Sequence, residues 1–338
     1  MFEQLDRKIE EVVKEIGFSG AISIQKGQET IYEAAFGYAN RSDKLDNTID
    51  TRFGIASGCK IFTAVGIGIL VEQGKISFDS YLKDYLDIDF SSFSEDITVH
   101  HLLTHTSGIP DYFDESVMDD FADLWKVKPM YLIREPKDFL SMFQSNEMMF
   151  PPGRMFHYNN AAFIVLGLLI EQISGKKFTD FVEEYIFRKS GMTDSGYFSL
   201  DELPSNTALG YIESDVVGTW KTNIYSIPVK GGPDGGAFIT IRDMQKFWNA
   251  LCNHSLLSSE ITEKLLTPYV ESDEDEFYGY GIWIEKKGNN ITKHHVMGYD
   301  PGVSFHSAIY NSGIKVVITS NESAGAYDIL LAIEGELS

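Results

Sequence analysis

Positive charge is scarce in this chain. It carries 28 Lys and Arg against 50 Asp and Glu, a formal net charge of −22. Such a surface repels phosphate backbones and anionic lipid, so no nucleic-acid and no membrane partner is expected. Cysteine is scarcer still. Cys59 and Cys252 are the only two in 338 residues, too few for a disulfide framework and consistent with free thiols in a reducing compartment. No apolar run approaches the length of a membrane span. The start, Met1-Phe2-Glu3-Gln4-Leu5-Asp6-Arg7-Lys8, is charged and lacks the apolar core of a signal peptide. A soluble, cytoplasmic protein is the expectation.

Several catalytic signatures are missing too. There is no Gly-x-Ser-x-Gly elbow of an α/β-hydrolase. His101 and His105 stand at i, i+4, yet the Glu of a His-Glu-x-x-His zinc site is absent. Gly231-Gly232-Pro233-Asp234-Gly235-Gly236 is glycine-rich but lacks the Lys-Ser/Thr ending of a phosphate loop; it reads instead as backbone passing close to a cleft. The dense acidic run Glu271–Glu276 reads as a solvated loop rather than a cation site. No metal and no cofactor is expected.

What the chain does have is 43% hydrophobic residues, ample for a large core, and one serine–lysine pair in a telling place. Phe53-Gly54-Ile55-Ala56-Ser57-Gly58-Cys59-Lys60 sets a serine three residues before a lysine, where a polar turn gives way to an apolar helix. Positions i and i+3 share a helix face, so Lys60 can meet the Ser57 hydroxyl, and a serine needs such a neighbour to become a nucleophile. The same spacing recurs at Ser23/Lys26, Ser80/Lys83, Ser174/Lys177 and Ser312/Lys315. Those fall in a strand, a polar connection, a helix end and a hairpin turn; only Ser57 opens a helix.

Two further segments carry candidate chemistry. Pro151-Pro152-Gly153-Arg154-Met155-Phe156-His157-Tyr158-Asn159-Asn160 is a turn-rich loop before the apolar helix 161–173. It offers Tyr158, a base only if a cation such as Lys60 stabilises its phenolate, and Asn160, suited to orienting Lys60 and to bonding a substrate amide. Lys293-His294-His295-Val296-Met297-Gly298-Tyr299-Asp300-Pro301-Gly302 reads as a strand running into a tight turn. Such a strand can present a backbone N–H beside that of Ser57 as an oxyanion hole.

The wider pattern is an amphipathic helix at 4–16, strands at 20–25 and 30–36, and helices at 98–104, 136–143, 161–173 and 178–187. Beyond these come a strand at 235–241, a helix at 243–252, strands at 278–284, 291–296, 303–310 and 315–319, and a closing helix at 324–337. This predicts an α/β (α+β) fold: an antiparallel sheet flanked by helices, formed from 1–80 plus 200–338, with a mostly helical lobe at 81–199 and an active site in the cleft between them.

In the order Ser57-x-x-Lys60, Tyr158-x-Asn160 and a His/Gly strand, the chain resembles the serine β-lactamase and penicillin-binding-protein superfamily. It is most similar to class C β-lactamases, DD-peptidases and β-lactamase-like esterases. The likeness extends to His101-Leu102-Leu103-Thr104-His105-Thr106-Ser107-Gly108, Gly191-Met192 and Tyr278-Gly279-Tyr280-Gly281. It implies a β-lactamase/transpeptidase-like fold, with Ser57 acylated, Lys60 its proton partner and Tyr158 the general base. Asn160, His295, Gly298 and Tyr299 would contact substrate, and the N–H groups of Ser57 and Tyr299 would form the oxyanion hole. One departure stands out. The third motif of the family is Lys-Thr-Gly or His-x-Gly, whereas Val296 stands two residues before Gly298. His295, one position earlier, would point to the other face of a strand. The expected function is a serine hydrolase cleaving small esters, amides or D-amino-acid peptides and binding penicillin. The alternative is a penicillin- or peptide-binding sensor without turnover. The expected partner is a small-molecule or short-peptide acyl substrate; oligomeric state is left open.

Overall fold

The period-2 alternation at the two ends of the chain builds one sheet. A computed structural model describes residues 2–337 apart from 89, 91, 215 and 217. Helix α1 (Phe2–Ile16) leads into the hairpin β1 (Gly20–Lys26) and β2 (Glu29–Phe36). The following helices that position the site are α2 (Lys60–Glu72), α3 (Val99–Leu103), α4 (Asn160–Ser174) and α5 (Ile241–Cys252). Then come β3 (Val270–Asp273), β4 (Glu276–Tyr278), β5 (Trp283–Lys287), β6 (Asn290–Asp300), β7 (Val303–Tyr310), β8 (Ile314–Ser320) and α6 (Ala326–Leu337). The sheet runs β2-β1-β8-β7-β6-β5-β4-β3 with every neighbouring pair antiparallel.

Alternation decides which face each residue serves. Ile22 and Ile24 of β1, with Val316 and Ile318 of β8, bury against Leu5 and Ile9 of α1 and Ile329 and Ile333 of α6. Ala21, Phe305 and Val317 belong to the larger core on the opposite face, with α2, α4 and α5. Helix α2 is apolar all round because it is enclosed all round, buried from Lys60 to Leu70. No helix among the described residues is long and apolar enough to cross a membrane.

Three sequence expectations need correction. The run 278–284 is two strands, because Gly279 N–H bonds Ile282 O at 2.8 Å and closes a turn between β4 and β5. The acidic run is no free loop: Val270–Asp273 and Glu276–Tyr278 pair as an edge hairpin, so its alternate side chains turn onto the sheet. The strand expected at 235–241 shortens to Phe238–Ile239, which pairs with Phe53–Gly54.

Gly167 of α4 lets the glycine-rich segment lie directly on the helix. A Cβ there would stand 2.0 Å from Pro233 Cγ. The carbonyls of Pro233 and Asp234 accept hydrogen bonds from Thr63 Oγ1 (2.6 Å) and Lys60 Nζ (2.7 Å). Gly167→Ala is therefore predicted to lower stability by about 1–3 kcal/mol in thermal denaturation and to impair Lys60 as well, since the displaced segment carries its acceptor.

Candidate active site

Ser57 sits on a single 3-10 turn, Ala56–Cys59, that runs directly into α2. It is not a cap: the N-cap position of the turn is Ile55, with no side-chain cap bond. Its hydroxyl is thus left for other partners. Ala56, just before it, has φ +44°, a left-handed conformation that costs an L-residue about 1–2 kcal/mol. Neighbours hold it there: Ile55 N–H bonds Ala237 O (3.0 Å) and Gly236 N–H bonds Ala56 O (3.2 Å).

Lys60 is the hub. Its side chain is buried, and Nζ donates to Ser57 Oγ (2.9 Å), Asn160 Oδ1 (2.8 Å) and the Asp234 carbonyl (2.7 Å). Three acceptors match the three N–H bonds of an ammonium. Asn160 is committed elsewhere as well: its Nδ2 donates to Asp111 Oδ2 (3.4 Å) and Phe113 O (3.3 Å). Its amide therefore orients Lys60, and the donors that the sequence reading offers to substrate are already engaged within the chain.

Tyr158 is held by a brace the sequence did not explain. His105, buried and with φ +56°, accepts from Asn159 N–H at Nδ1 (3.0 Å), and His157 N–H bonds His105 O (2.9 Å). The imidazole packs on the Tyr158 ring with centroids 4.4 Å apart, and Trp283 stacks on Tyr158 at 5.9 Å. Thus the stretch 101–108 serves the Tyr158 loop. It offers no metal pair with His101, because α3 ends at Leu103 and His101 bonds the Thr98 N–H. Ser57 lies close enough to the Tyr158 hydroxyl to favour its ionised form, and Lys60 Nζ lies 5.0 Å from the ring centre. Burial, and then the charge of Glu115, push the phenol well above its ordinary value.

The third segment divides between two faces. Gly298 of β6 lies against the nucleophile turn; a Cβ there would stand 2.2 Å from Ile55 O and 2.8 Å from Ser57 N. Only glycine allows that approach, which brings the β6 backbone beside the Ser57 N–H, where the oxyanion hole is expected. Tyr299 lines the cleft while its hydroxyl bonds His306 Nε2 at 2.6 Å. His295 is absent from the cleft. It is cross-strand partner to Ala308, and its Nε2 lies near Glu276 and Glu285 on the face that α6 covers. The expectation of His295 as a substrate contact is therefore corrected: the one-residue shift turned it to the other side of the sheet.

The cleft encloses about 850 Å³, and sequence reasoning missed much of its lining. Asp111, 49 residues from Asn160, accepts N–H bonds from Asn160 (2.7 Å) and Ala161 (3.0 Å) at the start of α4; burial pushes it up to about 7 against those donors. Tyr112 donates to Asp234 Oδ2. Glu115, Asp119, Asp120, Asp234 and Asp300 line the cleft against two lysines, Lys221 and Lys230. No local motif announces these carboxylates. Only the glycine-rich stretch around Asp234 gave a signal.

A serine bonded to a buried lysine, with a tyrosine beside it and a sheet strand against its turn, suits a serine hydrolase. A family model described as Beta-lactamase matches residues 5–332, and the chain belongs to the beta-lactamase family. It is 53% identical to a penicillin binding protein from Bacillus halodurans, whose crystal structure matches with a TM-score of 0.93 over 97% of this chain and 99% of that one. It is 28% identical over 313 residues to the putative penicillin-binding protein PbpX of Bacillus subtilis (strain 168), covering 93% of this chain and 73% of that protein. The D-amino acid amidase of Ochrobactrum anthropi SV3, 23% identical with a TM-score of 0.80 over the whole of both chains, shares the fold.

Burial and the charge of Asp234 push Asp300 up to about 7, with Lys60 opposing and Glu115 adding to the rise. The folded chain thus keeps a proton that the unfolded chain, with an ordinary carboxyl near 3.8, has released. Stability from this group falls as pH rises from about 4 to about 7 and is level above. Asp300→Asn should therefore match the wild-type Tm near pH 4 and exceed it at pH 8, as read by thermal denaturation across that range.

Proposed function

We propose that this chain works through an acyl-enzyme on Ser57 and cleaves small esters, amides or D-amino-acid peptides, favouring acyl donors that carry an ammonium group. The observation that carries the reading is the Lys60 hydrogen bond to Ser57 within an acid-lined cleft. Ser57 Oγ adds to the substrate carbonyl while its proton passes to the Tyr158 oxygen. The leaving alcohol or amine takes up a proton through the same hydroxyl. Water then repeats the addition, freeing the acid and restoring Ser57. Because burial and carboxylates disfavour a standing phenolate, Tyr158 passes one proton on as it accepts another, with Lys60 supplying the compensating charge. The N–H groups of Ser57 and Tyr299 receive the oxyanion.

Charge supports the substrate preference. Where the family pattern sets a cation two residues before the glycine, this chain has Val296, so a substrate carboxylate meets no charged partner there. Asp234 and Glu115 lie close enough to raise the proton affinity of Asp300, and all three line the same cleft. An ammonium would relieve that repulsion, and a hydrogen bond to a charged group contributes about 1.5–3 kcal/mol. Penicillins, which carry a carboxylate, should acylate slowly.

Turnover of a p-nitrophenyl ester followed with intact-protein mass spectrometry tests the core reading. Turnover and any adduct are expected to vanish in Ser57→Ala, and Tyr158→Phe should lower kcat by about 10²–10⁴ with the fold intact. Equal rates in Ser57→Ala would sink the reading, and a long-lived adduct without turnover would favour the sensor. The preference is tested separately with a D-amino-acid p-nitroanilide and its N-acetyl derivative. The free amine is expected to lead by at least about tenfold in kcat/KM, an advantage that shrinks in Asp300→Asn and in high salt.

A further inference from the structure

On the face of the sheet away from the nucleophile, three adjacent strands bring two carboxylates and an imidazole together. Glu276 of β4 and Glu285 of β5 are cross-strand partners, and His295 of β6 pairs with Trp283, two residues before Glu285. All three side chains therefore lie on one face. His295 Nε2 stands 3.8 Å from Oε1 of Glu276 and 3.8 Å from Oε1 of Glu285. One ligand atom from each residue falls within a 4.8 Å group.

The imidazole is 4% exposed, and neither of its ring nitrogens has a hydrogen-bond partner among the described residues. A buried polar group in that state normally signals a missing partner. Both nitrogens thus keep their hydrogen-bonding capacity unmet, with Nε2 facing the two carboxylates.

The local charge is also unbalanced. Lys293 Nζ bonds Oε1 of Glu285 and Oε1 of Glu334, each at 2.7 Å. Glu276 and Glu285, the two carboxylates beside the imidazole, thus share the one ammonium of Lys293, which Glu334 also holds. A divalent cation would restore the balance and occupy the imidazole. Calcium and magnesium prefer all-oxygen shells, whereas one nitrogen and two carboxylate oxygens suit zinc and its first-row neighbours. Glu276 and Glu285 are half-buried with side chains 30% and 39% exposed, so an ion has a route in from solvent.

We propose that Glu276, Glu285 and His295 form a binding site for a divalent transition-metal ion, zinc by its ligand chemistry, with a further coordination position open to solvent. Lys293 competes for Glu285 and keeps Glu334 when the ion binds, which places the affinity below that of a site built of ligands alone. Trp283 links this site to the cleft. Its ring lies 6.5 Å from that of His295 and stacks at 5.9 Å on Tyr158. A paramagnetic ion on His295 should thus quench Trp283.

The test is calorimetric titration of the chelator-treated full chain with zinc chloride, alongside fluorescence titration with cobalt(II). We expect one equivalent of zinc, with affinity reduced at least tenfold in Glu276→Gln, a half-buried change in the strand next to the sheet edge, outside the hydrophobic core, and likewise in His295→Ala. Cobalt should quench wild-type emission, and the quench should be lost in Trp283→Phe. No stoichiometric binding, or an affinity equal to wild type in both Glu276→Gln and His295→Ala, overturns the proposal, since zinc would then be held by carboxylates elsewhere.

Discussion

The candidate site depends on one ammonium group. Lys60 Nζ ties together three segments far apart in sequence: its own helix through Ser57, the start of α4 through Asn160, 100 residues on, and the glycine-rich turn through Asp234 O, 174 residues on. A buried charge is tolerated only when its hydrogen bonds are met, so each acceptor is also a structural obligation. Asp111 holds Asn160, Tyr112 holds Asp234, and Gly167 leaves space for Pro233. These contacts read as a chain of supports for one cation.

Around that cation the cleft is acidic, which sets two demands against each other. The carboxylates around a buried ammonium also raise Asp300 and the Tyr158 phenol. The chain accepts a less stable fold near neutral pH in return for a charged cleft, a familiar pattern at functional sites. The Ala56 backbone shows the same pattern on a smaller scale, held in a left-handed conformation by bonds to the segment 236–237.

Much of this was legible in the sequence, for a physical reason. Alternating runs such as 303–310 and 20–25 declare strands because each face must be apolar somewhere, and the uniformly apolar 61–71 declares a helix enclosed on all sides. The Ser57–Lys60 spacing is local, so its contact follows from helix geometry. What escaped was set by tertiary context. Asp111 and Asp300 carry no local pattern and matter only through partners brought in by the fold. The acidic run 271–276 looked solvated because its alternation was hidden by five acidic residues in six. The His295 shift, by contrast, was readable from parity alone, and the structure gave the residue other neighbours.

Cys59 lies two residues from the nucleophile, fully enclosed, with its thiol 3.6 Å from the Gly232 carbonyl and pushed up to about 12 by burial. A thiol so far from ionising neither reacts with alkylating agents nor oxidises readily at neutral pH. The nucleophile turn is therefore indifferent to the redox state of its surroundings, and the free cysteine that pointed to a reducing compartment is chemically compatible with an oxidising one as well.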